Sequence, residues 1–295
     1  MSRTPLVRIA LEPGIGIWCK LDYLNPSGST KDRVARYILE NALRTGLLRA
    51  GELVIEASSG STSIAMALAC AQMGLRFLAV MPEGVSNERT LMIRAFGGEI
   101  RTTPREAGIF GAVAESERLG AELSAFLPRQ FSNPLNVEAH RLGTAREILD
   151  ELSSVAAVVS GVGTGGTLVG LALGCEGAIP VYARPIDYLT SDPECCSFSG
   201  RIPGVVECVS KLFREDLLPG LQTVEVRAED AIRVTRRIIA SGYPVGPSSG
   251  LNYCAAMEIA RRLGPEANVV TVFPDRMERY FSTELFRGMN SPSRV

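Results

Sequence analysis

The chain has 295 residues, of which 46% are hydrophobic and 21% are charged, so it can bury a large core without a disulfide scaffold. Its 31 Lys and Arg residues balance 32 Asp and Glu residues, and the formal charge of -1 gives no electrostatic basis for a nucleic-acid or anionic-membrane partner. Its one histidine, His140, excludes a histidine cluster for zinc, so we expect no metal and assign the chemistry to lysine, serine or a cofactor.

Short apolar runs rich in β-branched residues alternate along the chain with segments of helical period. This alternation is typical of a parallel sheet covered by helices, and it predicts an α/β fold. In chain order we predict a strand over 17–21, a helix over 31–45, a strand over 53–56, a helix over 62–73, a strand over 77–81, helices over 87–96, 106–119 and 140–152, a strand over 155–160, a helix over 167–173, a strand over 179–182, helices over 228–241 and 251–263, and a last strand over 268–273.

The segment 131–142, which contains an Asn-Pro pair, is the best candidate for a crossing between two lobes. We therefore predict an N-terminal lobe over 1–136 and a C-terminal lobe over 137–295, with about the first 30 residues crossing to the other lobe. Outside the predicted elements, we expect a surface loop over 191–201 and a frayed tail over 288–295.

Four turns of small residues each precede a predicted helix. Backbone N–H groups in such turns can approach an anion closely, because glycine and short side chains leave room for it. The turns are PSGSTKDR at 26–33, EASSGSTS at 56–63, SGVGTGGT at 160–167 and VGPSSG at 245–250. The third turn is the strongest signal, since its four glycines and two threonines predict a nest for a phosphate dianion.

The same third turn also matches a dinucleotide-binding fingerprint through Gly161, Gly163 and Gly166, with Asp187 about 20 residues further on. A nicotinamide-dependent dehydrogenase is therefore an alternative. A dinucleotide fold needs its first β-α-β unit at this motif. Here the motif lies past the middle of the chain and prolines follow it, and both features count against the dehydrogenase.

Taken together and in order, these segments resemble the fold-type II pyridoxal-phosphate family, and within it cysteine synthase (O-acetylserine sulfhydrylase) and cystathionine β-synthase. The likeness is carried by RTPLV at 3–7, LNPSGSTKDR at 24–33, QFSNP at 130–134 and FPDRMERY at 273–280, together with the turns at 56–63, 160–167 and 245–250, so it covers essentially the whole chain. It implies two lobes, each a mainly parallel twisted sheet flanked by helices, as in tryptophan synthase β.

The resemblance implies pyridoxal 5′-phosphate as the cofactor, with Lys31 and Ser248 as the catalytic residues. Lys31 would hold the cofactor covalently, and a partly desolvated amine at a helix start has a lowered pKa that suits both attack on a carbonyl and later proton transfer. Ser248 would face the pyridine nitrogen, where a hydroxyl leaves the ring a weaker electron sink than a carboxylate would. The phosphate would be bound by Gly163, Thr164, Gly165, Gly166 and Thr167.

Ser61 departs from the family pattern, because the relatives usually have an asparagine there that contacts the ring oxygen of the cofactor. The shorter serine would reach that oxygen only through water and would leave room for a different β-substituent. A second departure is the segment GRIPGVVECVS at 200–210, where the relatives have a glycine-rich run. By the same resemblance, the substrate carboxylate would be bound by Ser58, Ser59, Gly60 and Thr62, with Gln130 close to it.

The resemblance implies β-replacement on an activated serine, of the O-acetylserine or O-phosphoserine type, through an aminoacrylate to cysteine or an analogue. Three alternatives stay open: β-elimination of cysteine or a related amino acid, synthesis of a specialised β-substituted alanine, and a non-catalytic relative that binds a partner protein.

The expected partners are an amino acid and a small nucleophile, and the expected assembly is a homodimer. The N-terminal stretch MSRTPLVRIALEPG lacks the apolar core of a signal peptide, and no run approaches the roughly 18 apolar residues of a membrane helix. Seven cysteines without a C-x-x-C pair fit reduced thiols. We therefore expect a cytoplasmic protein.

Overall fold

The computed structural model describes residues 3–186, 202–205 and 210–287. The predicted loop 191–201, the tail 288–295 and Asp187 lie outside these ranges. Strands and helices alternate along the chain, and the predicted α/β fold is confirmed. The strands are β1 (Leu6–Glu12), β2 (Ile15–Lys20), β3 (Leu53–Ala57), β4 (Arg76–Pro82), β5 (Glu99–Thr103), β6 (Ala157–Ser160), β7 (Ile179–Ile186), β8 (Gln222–Arg227) and β9 (Val269–Val272).

Helices pack against both sheets that these strands form. Between the fifth and sixth of them, a single π-helical turn at His140–Ala145 keeps the helical segment continuous. The α-helices are α1 (Lys31–Arg44), α2 (Ser61–Met73), α3 (Asn87–Ala95), α4 (Gly108–Glu122), α5 (Leu135–Ala139), α6 (Arg146–Leu149), α7 (Gly166–Gly174), α8 (Ala228–Ala240) and α9 (Pro247–Leu263).

The strands form a six-stranded sheet in the order β1-β2-β9-β6-β7-β8 and a three-stranded sheet in the order β3-β4-β5. All neighbouring strands are parallel except β1 and β2, which form an antiparallel pair at one edge of the large sheet. The N-terminal strands thus pair in the same sheet as strands from beyond residue 150, and the boundary between lobes at residue 136 stays a prediction.

Both faces of the large sheet are buried, which explains why its central strands are continuous apolar runs. In β6, Ala157 and Val159 pack in one hydrophobic cluster, whereas Val158 between them packs in another. In β9, Val269 faces the first cluster and Val270 faces the second. Because side chains alternate along a strand, each cluster lies on one face of the sheet.

Three strands were not predicted from the sequence, and all three lie at sheet edges. They are β1, β5 and β8, which carry charged residues and are only partly buried. An edge strand keeps one side in water and often carries charge, so it lacks the continuous apolar run on which the prediction depended.

The start of α9 differs from the prediction, which began a helix at Leu251 and placed Ser248 in a preceding turn. The helix begins at Pro247, so Ser248 lies in its first turn. Proline suits the first helical position because its missing N–H would have no partner there. Gly250 lies inside the helix and allows α9 to pack closely against α8. A Cβ at this position would lie 2.1 Å from the carbonyl oxygen of Ala231 in α8.

Candidate active site

One cavity is lined by residues from all four predicted turns. The strands β3, β6 and β9 end directly before segments of its wall, as expected for a site at the carboxyl ends of parallel strands. Of the predicted site residues, Gly166 does not line the cavity. Those that do are Lys31, Ser58, Ser59, Gly60, Ser61, Thr62, Gln130, Gly163, Thr164, Gly165, Thr167 and Ser248.

Lys31 opens helix α1, and its side chain contributes to the cavity wall. Burial lowers the pKa of its amine, while the negative charges of Asp275 and Asp22 oppose that shift. Within the described residues the amine makes no hydrogen bond or ion pair. A desolvated amine without a partner is populated more readily in the neutral, nucleophilic form.

The position of α1 depends on a buried ionic network around Arg33. Its guanidinium forms ion pairs with Asp22 at 2.9 Å and with Glu147 at 2.7 Å, and Glu147 forms a second ion pair with Lys20 at 2.8 Å. Burial raises the pKa values of both carboxyls, but Arg33, helped by Thr4 at Asp22 and by Lys20 at Glu147, lowers them, and the net effect leaves both pKa values below the ordinary range. The network ties the helix that carries Lys31 to the short 3-10 turn at Asp22–Leu24 and to α6.

The glycine turn between β6 and α7 presents backbone donors to the cavity. In the described ranges, the N–H groups of Gly163, Thr164 and Gly165 have no acceptor, which is the arrangement that an anion requires at a helix start. The hydroxyl of Thr167 lies 3.3 Å from Nε2 of His140. The predicted phosphate-binding role of this turn stays a prediction that these contacts support.

Protein neighbours, rather than the cavity, restrict two glycines of this turn. Gly165 has a φ of 79°, and a Cβ there would lie 2.8 Å from Cβ of Phe213. A Cβ on Gly166 would lie 2.0 Å from Oδ1 of Asn136. Both glycines were predicted to bind the phosphate, but the structure shows that they also allow the turn to pack against other segments.

We expect Gly165→Ala to destabilise the fold by about 2–4 kcal/mol, since the left-handed conformation costs roughly 1–2 kcal/mol and overpacking against Phe213 adds a similar amount. Gly177→Ala is the matched control, because Gly177 has a φ of 80° but no atom within 4 Å of an added Cβ. Urea denaturation measures both variants. Equal losses would show that only the backbone conformation matters at Gly165.

The serine turn at the start of α2 is held by its own hydroxyl groups. The Oγ atom of Ser58 accepts hydrogen bonds from the N–H groups of Gly60 and Ser63, each at 3.1 Å. The hydroxyl of Thr62 donates to Oε1 of Gln130 at 2.6 Å. These side chains shape the turn, and the free donors are the N–H groups of Ser59, Ser61 and Thr62, which have no acceptor in the described part of the chain.

Ser61 contacts a carboxylate that the sequence analysis did not single out. Its hydroxyl donates to Oδ2 of Asp275 at 3.3 Å, and the hydroxyl of Tyr280 donates to the same oxygen at 2.6 Å. Both residues lie in the FPDRMERY segment that contributed to the resemblance, and both line the cavity. Nothing local in the sequence could show this contact, because 214 residues separate Ser61 from Asp275.

Three more polar residues support the site and were not predicted. Asn252 accepts a bond from the N–H of Gly161 at 2.7 Å, and Asn136 donates to the hydroxyl of Thr164 at 2.9 Å. His140 is buried, and burial lowers its pKa to about 3, so the ring that faces Thr167 is neutral. Its place in a π-helical turn agrees with the frequent occurrence of such turns at functional sites.

A family model described as pyridoxal-phosphate dependent enzyme matches residues 1–275. The chain belongs to this family. It is similar to cysteine synthase B of Campylobacter jejuni, with 35% identity over 97% of this chain and 96% of that protein. Its fold is similar to that of O-ureido-L-serine synthase, with 31% identity, a TM-score of 0.87 and coverage of 99% of this chain and 95% of that one. It is also similar to the O-acetylserine dependent cystathionine beta-synthase of Helicobacter pylori, with 31% identity, a TM-score of 0.86 and coverage of 97% and 96%.

Pyridoxal phosphate is therefore the cofactor of this enzyme, and the dinucleotide alternative is not retained. The residues of the cavity fit pyridoxal phosphate: among the described residues, Lys31 provides an amine without a partner, the turn before α7 provides N–H groups without an acceptor, and Ser248 provides a hydroxyl. A carbonyl carbon, a phosphate dianion and a pyridine nitrogen are the groups that such partners bind.

Across residues 3–186, 202–205 and 210–287, no group of three His, Cys, Asp or Glu side chains is arranged to hold a metal ion. In the same ranges, no helix is both long and apolar enough to span a bilayer.

Proposed function

We propose that the enzyme catalyses β-replacement on a serine whose hydroxyl oxygen carries an activating group. The leaving group departs from the β-carbon with the bonding electron pair, and a small nucleophile adds there and loses its proton. The similarity to a cysteine synthase and to two enzymes named for serine derivatives supports this reaction. The observation that carries the proposal is that, within the described ranges, the amine of Lys31 has no partner and two turns in the same cavity have N–H groups without an acceptor.

Each cavity segment has a role in this proposal. Pyridoxal phosphate, when bound, withdraws electrons from the α-carbon of the amino acid, so that the α-proton and the β-substituent can leave. Lys31 holds the cofactor and, once released, moves the proton to and from the α-carbon. Ser248 binds the pyridine nitrogen, and Gly163, Thr164, Gly165 and Thr167 bind the phosphate. The turn from Ser58 to Thr62 binds the substrate carboxylate, with Gln130 behind it.

The test is to mix the holoenzyme with O-acetylserine or O-phosphoserine, with and without sulfide or a small thiol, and to identify the products by mass spectrometry. We expect a β-substituted amino acid that contains the added nucleophile. Pyruvate and ammonia as the only products, whatever nucleophile is present, would overturn replacement in favour of β-elimination.

Ser61 is proposed to set the preference for the β-substituent or nucleophile, because serine is smaller than the asparagine of the relatives. We expect Ser61→Asn to change the ratio of kcat/KM for a bulky thiol over that for sulfide by about 2- to 10-fold in favour of sulfide, the size of one neutral hydrogen bond. Ser63→Asn is not a suitable control, because Ser63 holds the turn. Ser86→Asn is the control, because Ser86 lies outside the cavity wall. An unchanged ratio in Ser61→Asn would contradict the proposal.

We propose further that the enzyme acts as a homodimer in the cytoplasm. The dimer is what the family resemblance implies, and the free thiols Cys19, Cys70, Cys175 and Cys254 agree with a reducing compartment. Sedimentation equilibrium is expected to give twice the mass of one chain at micromolar concentration. A mass equal to that of one chain would contradict the dimer.

A further inference from the structure

Arg89, on helix α3, is a buried cation in the cavity wall that no carboxylate neutralises within the described residues. Its side chain is 8% exposed. Its Nη1 donates to the carbonyl oxygen of Ser59 at 3.1 Å, while its buried Nε has no acceptor among the residues that the structure describes. The guanidinium carbon lies 5.3 Å from the ring centroid of Tyr280. No other hydrogen bond or ion pair of Arg89 forms in the part of the chain that the structure describes.

A buried guanidinium of this kind calls for an anion. Arginine is rarely buried without a paired charge, since removing it from water is costly unless an opposite charge compensates. The carboxylate of Asp275 lines the same cavity, and its Oδ2 accepts hydrogen bonds from Ser61 and Tyr280, but among the described residues it forms no ion pair with Arg89. A site for an anionic ligand beside Arg89 follows from this imbalance.

The position of Arg89 indicates which part of a ligand it serves. A Cβ on Gly60 would lie 2.3 Å from Cδ of Arg89, so the side chain runs directly against the serine turn. The N–H groups of Ser59, Ser61 and Thr62, which lack an acceptor in the described part of the chain, belong to the same turn. The bond to the carbonyl of Ser59 fixes the peptide whose neighbours carry these donors, and the positive charge adds to theirs.

We infer that Arg89 is a specificity-determining residue that selects amino acids with an ionised α-carboxylate. This inference rests on the proposed function, in which the serine turn binds that carboxylate. The N–H groups alone can donate to any oxygen acceptor, including the oxygen of a neutral carboxamide. The charge of Arg89 distinguishes the two, because it favours an anion over an uncharged group of the same shape.

The experiment measures binding to the holoenzyme rather than turnover. L-Serine and L-serinamide are titrated separately, and binding is detected from the absorbance change of the bound cofactor. The ratio of the two dissociation constants reports selection for the carboxylate. The variants are Arg89→Gln, which removes the charge, Arg89→Lys, which retains it, and Arg94→Gln as the matched control on the exposed side of the same helix.

We expect wild type and Arg94→Gln to prefer L-serine by the same factor. Arg89→Gln should lose at least about tenfold of that preference, the size of one hydrogen bond to a charged group, mainly through weaker binding of L-serine. Arg89→Lys should retain most of it. If Arg89→Gln weakens both ligands equally, or neither, the inference is wrong and Arg89 only supports the turn.

Two features keep the test decisive. If Arg89→Gln does not fold, as judged by circular dichroism and cofactor content, Arg89→Lys carries the test, and equal binding of the two ligands by that variant would overturn the inference. The outcome is also separable from the proposed reaction. An enzyme that selects L-serine but makes no β-substituted product contradicts the reaction alone, whereas one that makes product with an unchanged ratio in Arg89→Gln contradicts the inference alone.

Discussion

Replacing Lys31 by alanine is expected to lower kcat for β-replacement on the order of 10³-fold, because the variant lacks the amine that we propose for both cofactor attachment and proton transfer. The fold should survive, since the amine of Lys31 has no partner in the described residues that its removal would leave unsatisfied. Thermal unfolding of the apoenzymes is therefore expected to give similar midpoints for variant and wild type.

The composition of the chain makes this test unusually clear. The protein has three lysines, of which Lys20 is buried in an ion pair with Glu147 and Lys211 is exposed. Borohydride reduction of the holoenzyme followed by peptide mapping should place the label on Lys31. A label on either of the other two, or full activity in Lys31→Ala, would overturn the assignment, and Lys211→Ala is the matched control.

The second large effect concerns the network of Arg33. We expect Arg33→Met to lower the free energy of unfolding by about 3–5 kcal/mol, because the carboxylate of Asp22 would stay buried without its counter-ion and Glu147 would keep only its ion pair with Lys20. Arg36→Met, on the exposed face of the same helix, breaks only the surface pair with Glu40 and should cost at most about 1 kcal/mol. Urea denaturation of both variants at pH 7 measures the difference. Equal losses in the two variants would contradict the prediction.

The same network predicts how the stability of the wild type depends on pH. The pKa values of Asp22 and Glu147 are lowered in the folded state, so their contribution is present above the ordinary carboxyl pKa and is lost as the pH falls through the lowered values. The stability difference between wild type and Arg33→Met should therefore be constant near neutral pH and shrink below about pH 4. A difference that does not change with pH would show that the carboxylates are not the cause.

Local patterns in the sequence predicted the central strands and the glycine-rich turn, because these features depend on residues that are adjacent in the chain. The central strands β6 and β9 are continuous apolar runs, and the turn before α7 is rich in glycine, so both could be recognised. Ser248 was identified by the resemblance, although the turn assigned to it proved to be the first turn of α9.

Contacts between distant residues could not be predicted in this way. The bond between Arg33 and Glu147 joins residues 114 positions apart, and the bond between Arg89 and the carbonyl of Ser59 joins residues 30 apart. No periodicity reports such pairs, since the fold alone brings them together. The charges of the cavity wall could not be predicted from the sequence either, because only the fold brings Asp275 and Arg89 into the same wall.

The position of β9 in the large sheet has a consequence for synthesis of the protein in the cell. This strand spans Val269–Val272, yet it lies between β2 and β6 and is hydrogen-bonded to both. Until almost the whole chain has left the ribosome, the N-terminal hairpin therefore lacks β9, the strand that follows it in the sheet order. Such a late, long-range closure delays folding and exposes apolar strands on the nascent chain. We therefore expect nascent chains that stop before residue 269 to depend on chaperones and to be unable to retain the cofactor.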